Sequence, residues 1–234
     1  MNERFIRSEM LLGEEAMQRL KNSHVAVFGL GGVGSWCAEA LARAGVGELT
    51  LIDSDTLSRS NINRQLFALE STLGTDKTAA AAGRINDINP DAVLHPITGT
   101  YCAADRERFV AEYDYVADCI DLVSCKLDLI ETCLARSLPV ISALGTGNKN
   151  DPSLLEITDI SKTKGDALAR VIRKELRARG IEHHTVVYSP EEPMSAAQVE
   201  APPPGRRSVP GSLIWVPASA GLMMAGHIVN ELIS

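Results

Sequence analysis

Apolar and polar positions along this chain follow two alternating rhythms. Compact apolar runs at residues 24–29, 47–53, 92–97, 115–120 and 139–143 read as buried strands, the fourth ending at Asp121. Between them, residues 32–44, 74–86 and 124–136 read as helices, the first rich in Ala, as expected where a helix packs close on a sheet. Residues 8–22 predict a further helix with Leu11, Leu12, Met17 and Leu20 on one side. Strands alternating with helices predict an α/β fold: a Rossmann-like, doubly wound, mainly parallel sheet with right-handed crossovers.

The rhythm changes after Gly147. Residues 154–159 alternate apolar and polar, as a half-exposed strand does, and residues 164–179 have the period of an amphipathic helix. A short strand is expected at 185–188, another at 212–216, and a closing helix at 218–233. Residues 190–210 carry six of the eleven prolines and no hydrophobic period, so they predict a long loop. The organisation expected is one domain over 1–234. It comprises an arm and helix at 1–22, a parallel-sheet core at 23–147, and a C-terminal extension of strands and helices at 148–234.

Composition narrows the function classes. A chain of 234 residues with 45% hydrophobic content supports a substantial core. With 4% aromatic residues and a net charge of −7, base stacking is not the main recognition mode, and any nucleic-acid surface is local. No apolar run is long enough to span a membrane and the first residues lack a signal-peptide core, which predicts a cytoplasmic protein without a membrane partner. The five cysteines, Cys37, Cys102, Cys119, Cys125 and Cys133, form no C-x-x-C pair, which argues against a disulfide framework or a structural zinc site.

The chemistry concentrates in the first half. Gly29, Gly31, Gly32 and Gly34 form Gly-x-Gly-x-x-Gly between a predicted strand and a predicted helix, where the backbone can approach a phosphate or ribose closely. Asp53 ends the next strand, where a carboxylate can hold ribose hydroxyls. NAD enzymes share both features. They lack the polar run that extends downstream: Asp53-Ser54-Asp55, then Ser60-Asn61-Ile62-Asn63-Arg64-Gln65, then Gly74-Thr75-Asp76-Lys77. Two fixed cations and an amide suit a triphosphate better than a nicotinamide, and cations near a phosphoryl group meet the charge that builds in nucleotidyl transfer. Either cation alone reads as well as a solvated surface charge. Asp121 stands where ligands bind in open α/β sheets, and either it or Ser124 could instead cap the following helix. Asp118 reads as a structural or supporting carboxylate.

A second feature is electrostatic. Arg170, Arg173, Lys174 and Arg177 fall at i, i+3, i+4 and i+7, opposite Leu168, Ile172 and Leu176. Such a stripe on an acidic chain is either a solvated face or a local nucleic-acid contact. His183 and His184 have no partner at metal-ligand spacing and read as surface or nucleic-acid-facing residues. Cys37, Cys119 and Cys125 read as buried packing thiols.

The run from Gly29 to Asp121 resembles the E1-like adenylating superfamily, which includes ubiquitin-activating domains and sulfur-carrier adenylyltransferases. The segments Asp151-Pro152, Ile157-Thr158-Asp159-Ile160, Val186-Val187-Tyr188-Ser189, Pro210-Gly211-Ser212 and Ala220-Gly221-Leu222 are similar to those of tRNA threonylcarbamoyladenosine dehydratases. The resemblance implies an ATP- and magnesium-dependent adenylating enzyme that cyclises N6-threonylcarbamoyladenosine in tRNA through an acyl-adenylate. It implies Asp53 on the ATP ribose and Asn61, Arg64 and Lys77 on the phosphates. It further implies Gln65 in support, Asp121 on Mg2+, Arg7 supplied across a homodimer, and room for a sulfur-transfer protein partner. The basic helix then becomes a tRNA-binding face.

Two departures from relatives matter. The paired C-x-x-C zinc ligands of many sulfur-carrier adenylyltransferases are missing, and residues 192–210 contain no cysteine for a thioester relay. An adenylyltransferase acting on the C-terminal Gly-Gly of a ubiquitin-like sulfur carrier is the alternative. A non-catalytic nucleotide-binding scaffold and an NAD oxidoreductase fit less well.

Overall fold

The computed structural model describes residues 3–197, 199 and 209–234. Two short helices, α1 (Ile6–Leu12) and α2 (Glu14–Asn22), precede β1 (His24–Phe28). There follow α3 (Gly34–Ala44), β2 (Glu48–Asp53), α4 (Lys77–Ile88), β3 (Val93–Thr98), the single-turn α5 (Arg106–Phe109), β4 (Tyr115–Asp118), α6 (Val123–Ala135) and β5 (Val140–Ala143). The extension adds β6 (Glu156–Asp159), α7 (Ala167–Ala178), β7 (Thr185–Tyr188) and α8 (Trp215–Ile233).

Seven strands form one sheet in the order β3-β2-β1-β4-β5-β7-β6. All neighbours run parallel except β6, which lies antiparallel to β7 at the edge. The chain winds outward from β1 through β2 to β3, then returns to place β4 on the other side of β1. That reversal opens a crevice beyond the carboxyl ends of β1 and β4, where ligands bind in such sheets. Val25 to Phe28 of β1 are wholly buried, as central parallel strands covered on both faces must be.

The helices fix the crevice's walls. α3 packs against α8 closely enough that a Cβ on Gly221 would lie 2.3 Å from the Val33 carbonyl oxygen. One apolar cluster fills the space between the sheet and α3, α4 and α8, and a second joins β1 and β4 to Tyr101, Phe109 and α6. A third lies under α7.

Several boundaries differ from those the sequence predicts. The helix expected over 8–22 is broken at Gly13, whose φ of 84° no helical residue adopts. The strand expected over 212–216 does not form: Trp215 and Val216 open α8, and Pro217 is tolerated in its first turn, where no intrahelical N–H is lost. A short apolar run is compatible with either state, and here the helix carries Val216 into the core. β4 stops at Asp118, because that side chain takes the backbone N–H of Ile120 at 3.0 Å. Ser124 does not cap α6: the cap position is Leu122, which offers no side-chain acceptor. α7 starts at Ala167, where the Asp166 carboxylate accepts from Ala169 N at 2.7 Å. Within the predicted loop 190–210, residues 190–197, 199, 209 and 210 are in neither helix nor strand, and 198 and 200–208 lie outside the described residues.

Candidate active site

The crevice holds a cavity of about 890 Å³. One side is the glycine loop. Gly29 leaves β1 with φ 90°, and a Cβ there would lie 2.7 Å from the Cys119 carbonyl oxygen. At Gly34 a Cβ would lie 1.8 Å from the Gly29 carbonyl oxygen, so no side chain fits where the loop turns into α3. Gly31 has open space before it, and Gly32 rests on the stem of Arg64 and on Pro217. The loop presents bare backbone to a ligand at the start of a helix, the arrangement that receives phosphate or ribose oxygens.

Asp53, at the end of β2, braces that loop. Its Oδ2 accepts from Leu30 N at 2.6 Å and its Oδ1 from Asp55 N at 2.9 Å. Lys77, the first residue of α4, lies with its Nζ 3.5 Å from Asp53 Oδ1 and 2.7 Å from Asp55 Oδ2. Lys77 is buried, whereas the Asp55 side chain is 65% exposed, so a ligand in the cavity can replace Asp55 as the ammonium's partner.

The segment after β2 brings the remaining predicted groups to the same cavity. Asn61 spends its carbonyl oxygen on Ser58 N at 3.0 Å, which leaves its amide N–H groups for a ligand. Arg64 donates to Ser60 O and to Asn63 Oδ1, both at 2.9 Å, while its own carbonyl is held by the Trp36 indole. Gln65 is 6% exposed, lines the cavity, and its Oε1 has no partner among the described residues. Asp121 lies between β4 and α6, exposed at the cavity wall. The structure therefore gathers Gly29, Gly31, Gly32, Asp53, Asn61, Arg64, Gln65, Lys77 and Asp121 around one space. It does not bring Arg7 there: that residue is exposed on α1 and does not line the cavity of its own chain.

The cavity continues past the nucleotide loop. Gly145 to Asn148, Asp166 to Leu168 and Pro210 to Ser212 form its far wall. The amino end of α7 thus borders the cavity. Further along, α7 exposes Arg170, Lys174 and Arg177. Arg173 departs from the predicted face: it is half-buried and donates to Thr163 O at 2.7 Å. Asn148 ties the far wall together. Its backbone N donates to Gly211 O at 2.8 Å, its Oδ1 accepts from Gly211 N at 2.6 Å, and its carbonyl accepts from Met194 N at 2.8 Å.

Four of the cysteines are held inactive. Burial pushes the Cys37 and Cys133 thiols up to about 12 and raises Cys119 and Cys125 as well. Cys119 and Cys125 line the cavity, yet each is held as a neutral thiol, the opposite of a nucleophile's requirement.

His184 corrects the reading of the sequence. It is 4% exposed, and burial, followed by the Lys126 charge, lowers its pKa to about 3. It belongs to a sealed network beside the crevice. Lys126 Nζ donates to Asp118 Oδ2 at 2.7 Å, and Ser142 Oγ donates to the same oxygen at 2.6 Å. With the serine proton so used, neutral His184 donates from Nε2 to Ser142 Oγ at 2.7 Å. The signal was present: His184 is in phase with Val186 and Tyr188, both fully buried on β7. His183, one residue earlier, does reach the surface and pairs with Asp159.

A ThiF family model matches residues 5–233. The chain belongs to the ThiF family. Within it, the chain is 42% identical over 240 residues to a tRNA threonylcarbamoyladenosine dehydratase of Bacillus subtilis, covering 98% of this chain and 94% of that one. The crystal structure of the Escherichia coli tRNA N6-threonylcarbamoyladenosine dehydratase TcdA in complex with ATP superposes with a TM-score of 0.89 at 33% identity, over 98% of this chain and 93% of that chain. The molybdopterin-synthase adenylyltransferase of Escherichia coli is 39% identical over 130 residues, 56% of this chain and 51% of that one. The ThiF-family likeness to the dehydratases thus extends through the C-terminal extension, whereas the aligned stretch shared with the adenylyltransferase is about half the chain.

Proposed function

We propose that this chain is an ATP-dependent enzyme that dehydrates N6-threonylcarbamoyladenosine in tRNA to a cyclised base. The observation that carries the reading is the two-part cavity: a nucleotide half built on the glycine loop, Asp53 and Lys77, open to a second half at the amino end of the basic helix α7. The near full-length likeness to dehydratases supports the same assignment.

The reaction is built on that arrangement. The threonyl carboxylate attacks the α-phosphorus of ATP, the bond to pyrophosphate breaks, and an acyl-adenylate forms. The ureido nitrogen of the same base then attacks the activated carbonyl, loses its proton, and AMP leaves. The base loses the elements of water, which ATP takes up in becoming AMP and pyrophosphate. Lys77 and Arg64 meet the charge that develops on the phosphates, with Asn61 donating beside them. Asp53 and the glycine backbone hold the ribose end, and Gln65 offers its unpartnered Oε1. No enzyme nucleophile is required, which agrees with four buried or half-buried thiols held neutral.

Asp121 fits a magnesium ion: it is an exposed carboxylate at the cavity wall, and such sites use one or two carboxylates with phosphate and water oxygens. When bound, the ion neutralises charge on the α-phosphate. Arg7 would reach the neighbouring subunit's cavity in a homodimer, since it misses its own. Arg170, Lys174 and Arg177 would carry tRNA phosphates. Among the described residues no helix is long and apolar enough to cross a membrane. A tRNA substrate would place the enzyme in the cytoplasm.

Incubation with ATP, Mg2+ and modified tRNA, with mass spectrometry of the nucleosides, tests the reading. The expected result is a nucleoside lighter by one water, formed with stoichiometric AMP and pyrophosphate. An unchanged nucleoside, together with adenylation of a carrier protein ending in Gly-Gly, would replace it with the sulfur-carrier reading.

A further inference from the structure

The nucleotide cavity occupies the carboxyl ends of the strands. At their amino ends, a separate set of side chains meets. His24 opens β1, Glu48 opens β2, and His95 lies two residues into β3 from Val93. The register pairs His24 with Glu48, Glu48 with Val93 and Thr50 with His95. Side chains alternate across a strand, so three adjacent strands each put one metal-ligating group on the same face.

The atoms converge. Glu48 Oε1 lies 3.4 Å from His24 Nδ1 and 2.7 Å from His95 Nε2, and the three ligand atoms lie within 4.8 Å of one another. Zinc bound at about 2.0–2.2 Å from each atom requires mutual separations of about 3–4 Å. The His24–Glu48 separation already meets this, and the His95 side chain, 45% exposed, has room to open the other.

The His24 ring is held as a ligand's ring is held. Its Nε2 is bonded to Thr50 Oγ1 at 2.8 Å, and Thr50 is 2% exposed. Tyr113 packs edge-on against the ring, with centroids 4.9 Å apart. Metal-bound histidines almost always commit their second nitrogen in this way, which fixes the tautomer and the ring's direction.

We propose that His24, Glu48 and His95 form a binding site for a divalent first-row transition metal of the zinc class, with an open position toward solvent. Two imidazoles and one carboxylate suit zinc, copper or nickel. Mg2+ prefers an all-oxygen shell and has its candidate ligand, Asp121, at the other end of the sheet. The site rests on strand backbone and is independent of the reaction assigned to the cavity.

Metal-stripped full-length protein is titrated with Zn2+ by calorimetry and with Co2+ by visible absorption. One ion per chain should bind with a nitrogen-ligated cobalt spectrum, undisturbed by excess Mg2+. His95→Gln changes an exposed ring and keeps all five cysteines, so it removes this site alone; binding should weaken at least tenfold. Thr50→Val should weaken it about 10- to 100-fold, as loss of an orienting partner does. Asp121→Ala should bind zinc as the wild type does. Near-ultraviolet circular dichroism checks that each variant is folded, and His95→Gln decides the matter should His24→Gln fail to fold. If His95→Gln binds zinc like the wild type, or if the wild type binds no more than a Glu48→Gln/His95→Gln double variant, the three residues form only a hydrogen-bonded patch and the proposal falls.

Discussion

Lys77 and Lys126 each lie 2.7 Å from an aspartate oxygen, and each is almost fully buried. Their surroundings differ. Lys77 faces the cavity, and its partner Asp55 is 65% exposed, so the pair opens toward a ligand. Lys126 faces Asp118, which is 0% exposed and already engaged by Ser142 and the Ile120 backbone. A buried ion pair with a replaceable partner suits the phosphate role proposed for Lys77: Asp55 would keep the ammonium in place until a better anion arrives. A pair whose every neighbour is committed can only hold structure. What separates the two is the exposure of the partner carboxylate, not the length of the contact.

The sharpest test of this contrast removes the sealed cation. Lys126→Ala leaves Asp118 buried and unpaired, which should cost about 3–5 kcal/mol of stability in urea unfolding. A Lys126→Met/Asp118→Asn double variant should recover part of that loss, because it removes the orphaned charge. A cost under about 1 kcal/mol for the single variant would show that the pair is not the anchor described.

The cavity cation should behave in the opposite way. Lys77→Ala should retain the fold, while AMP and pyrophosphate formation falls by about 10²–10³, the usual cost of one donor to transition-state charge. Arg64→Ala should do the same. Either variant turning over at near the wild-type rate breaks the site assignment, and an unfolded Lys77→Ala breaks the contrast with Lys126.

Cations facing outward extend the comparison. Arg170, Lys174 and Arg177 reversed to Glu should weaken tRNA binding and flatten its log–log salt dependence by about 0.7–0.9 per lost phosphate contact, leaving ATP affinity unchanged. Arg173 is left out because it is tied to Thr163. Unaltered affinity and slope would make the stripe a solvated face.

The most gradual effect should appear in pH dependence. The folded pKa of His184 is lowered from 6.5 to about 3 by burial, so below about pH 6.5 the unfolded chain binds a proton that the folded chain refuses. Stability from this residue is complete above that pH and declines toward pH 3, by up to about 1.4 kcal/mol per pH unit. His184→Gln should remove that part of the slope in urea unfolding between pH 6.5 and 4; an unchanged slope would mean the ring is protonated in the fold.

That Gly29, Asp53, Arg64 and Lys77 would line one cavity was legible because they are local in sequence. The glycine loop, Asp53 and the run through Lys77 lie within 49 consecutive residues and are fixed by a strand, a turn and the next strand. β7 was also legible, since Thr185 to Tyr188 is uniformly apolar or β-branched. The sealed network was not. Asp118, Lys126 and Ser142 come from three elements and His184 from the residue before β7, and only the insertion of β7 beside β5 brings them together. The far cavity wall escaped for the same reason, because Asn148, Asp166 and Gly211 carry no shared motif. The misread strand at 212–216 shows the limit of short apolar runs, whose state is decided by what they pack against.

Asn148 has a further consequence. Its three hydrogen bonds join Met194 and Gly211, so the chain departs from and returns to a single point. One amide therefore sets the spacing of the cavity's far wall, and an engineer seeking a different acceptor can reshape that wall at Asn148 and leave the glycine loop unaltered.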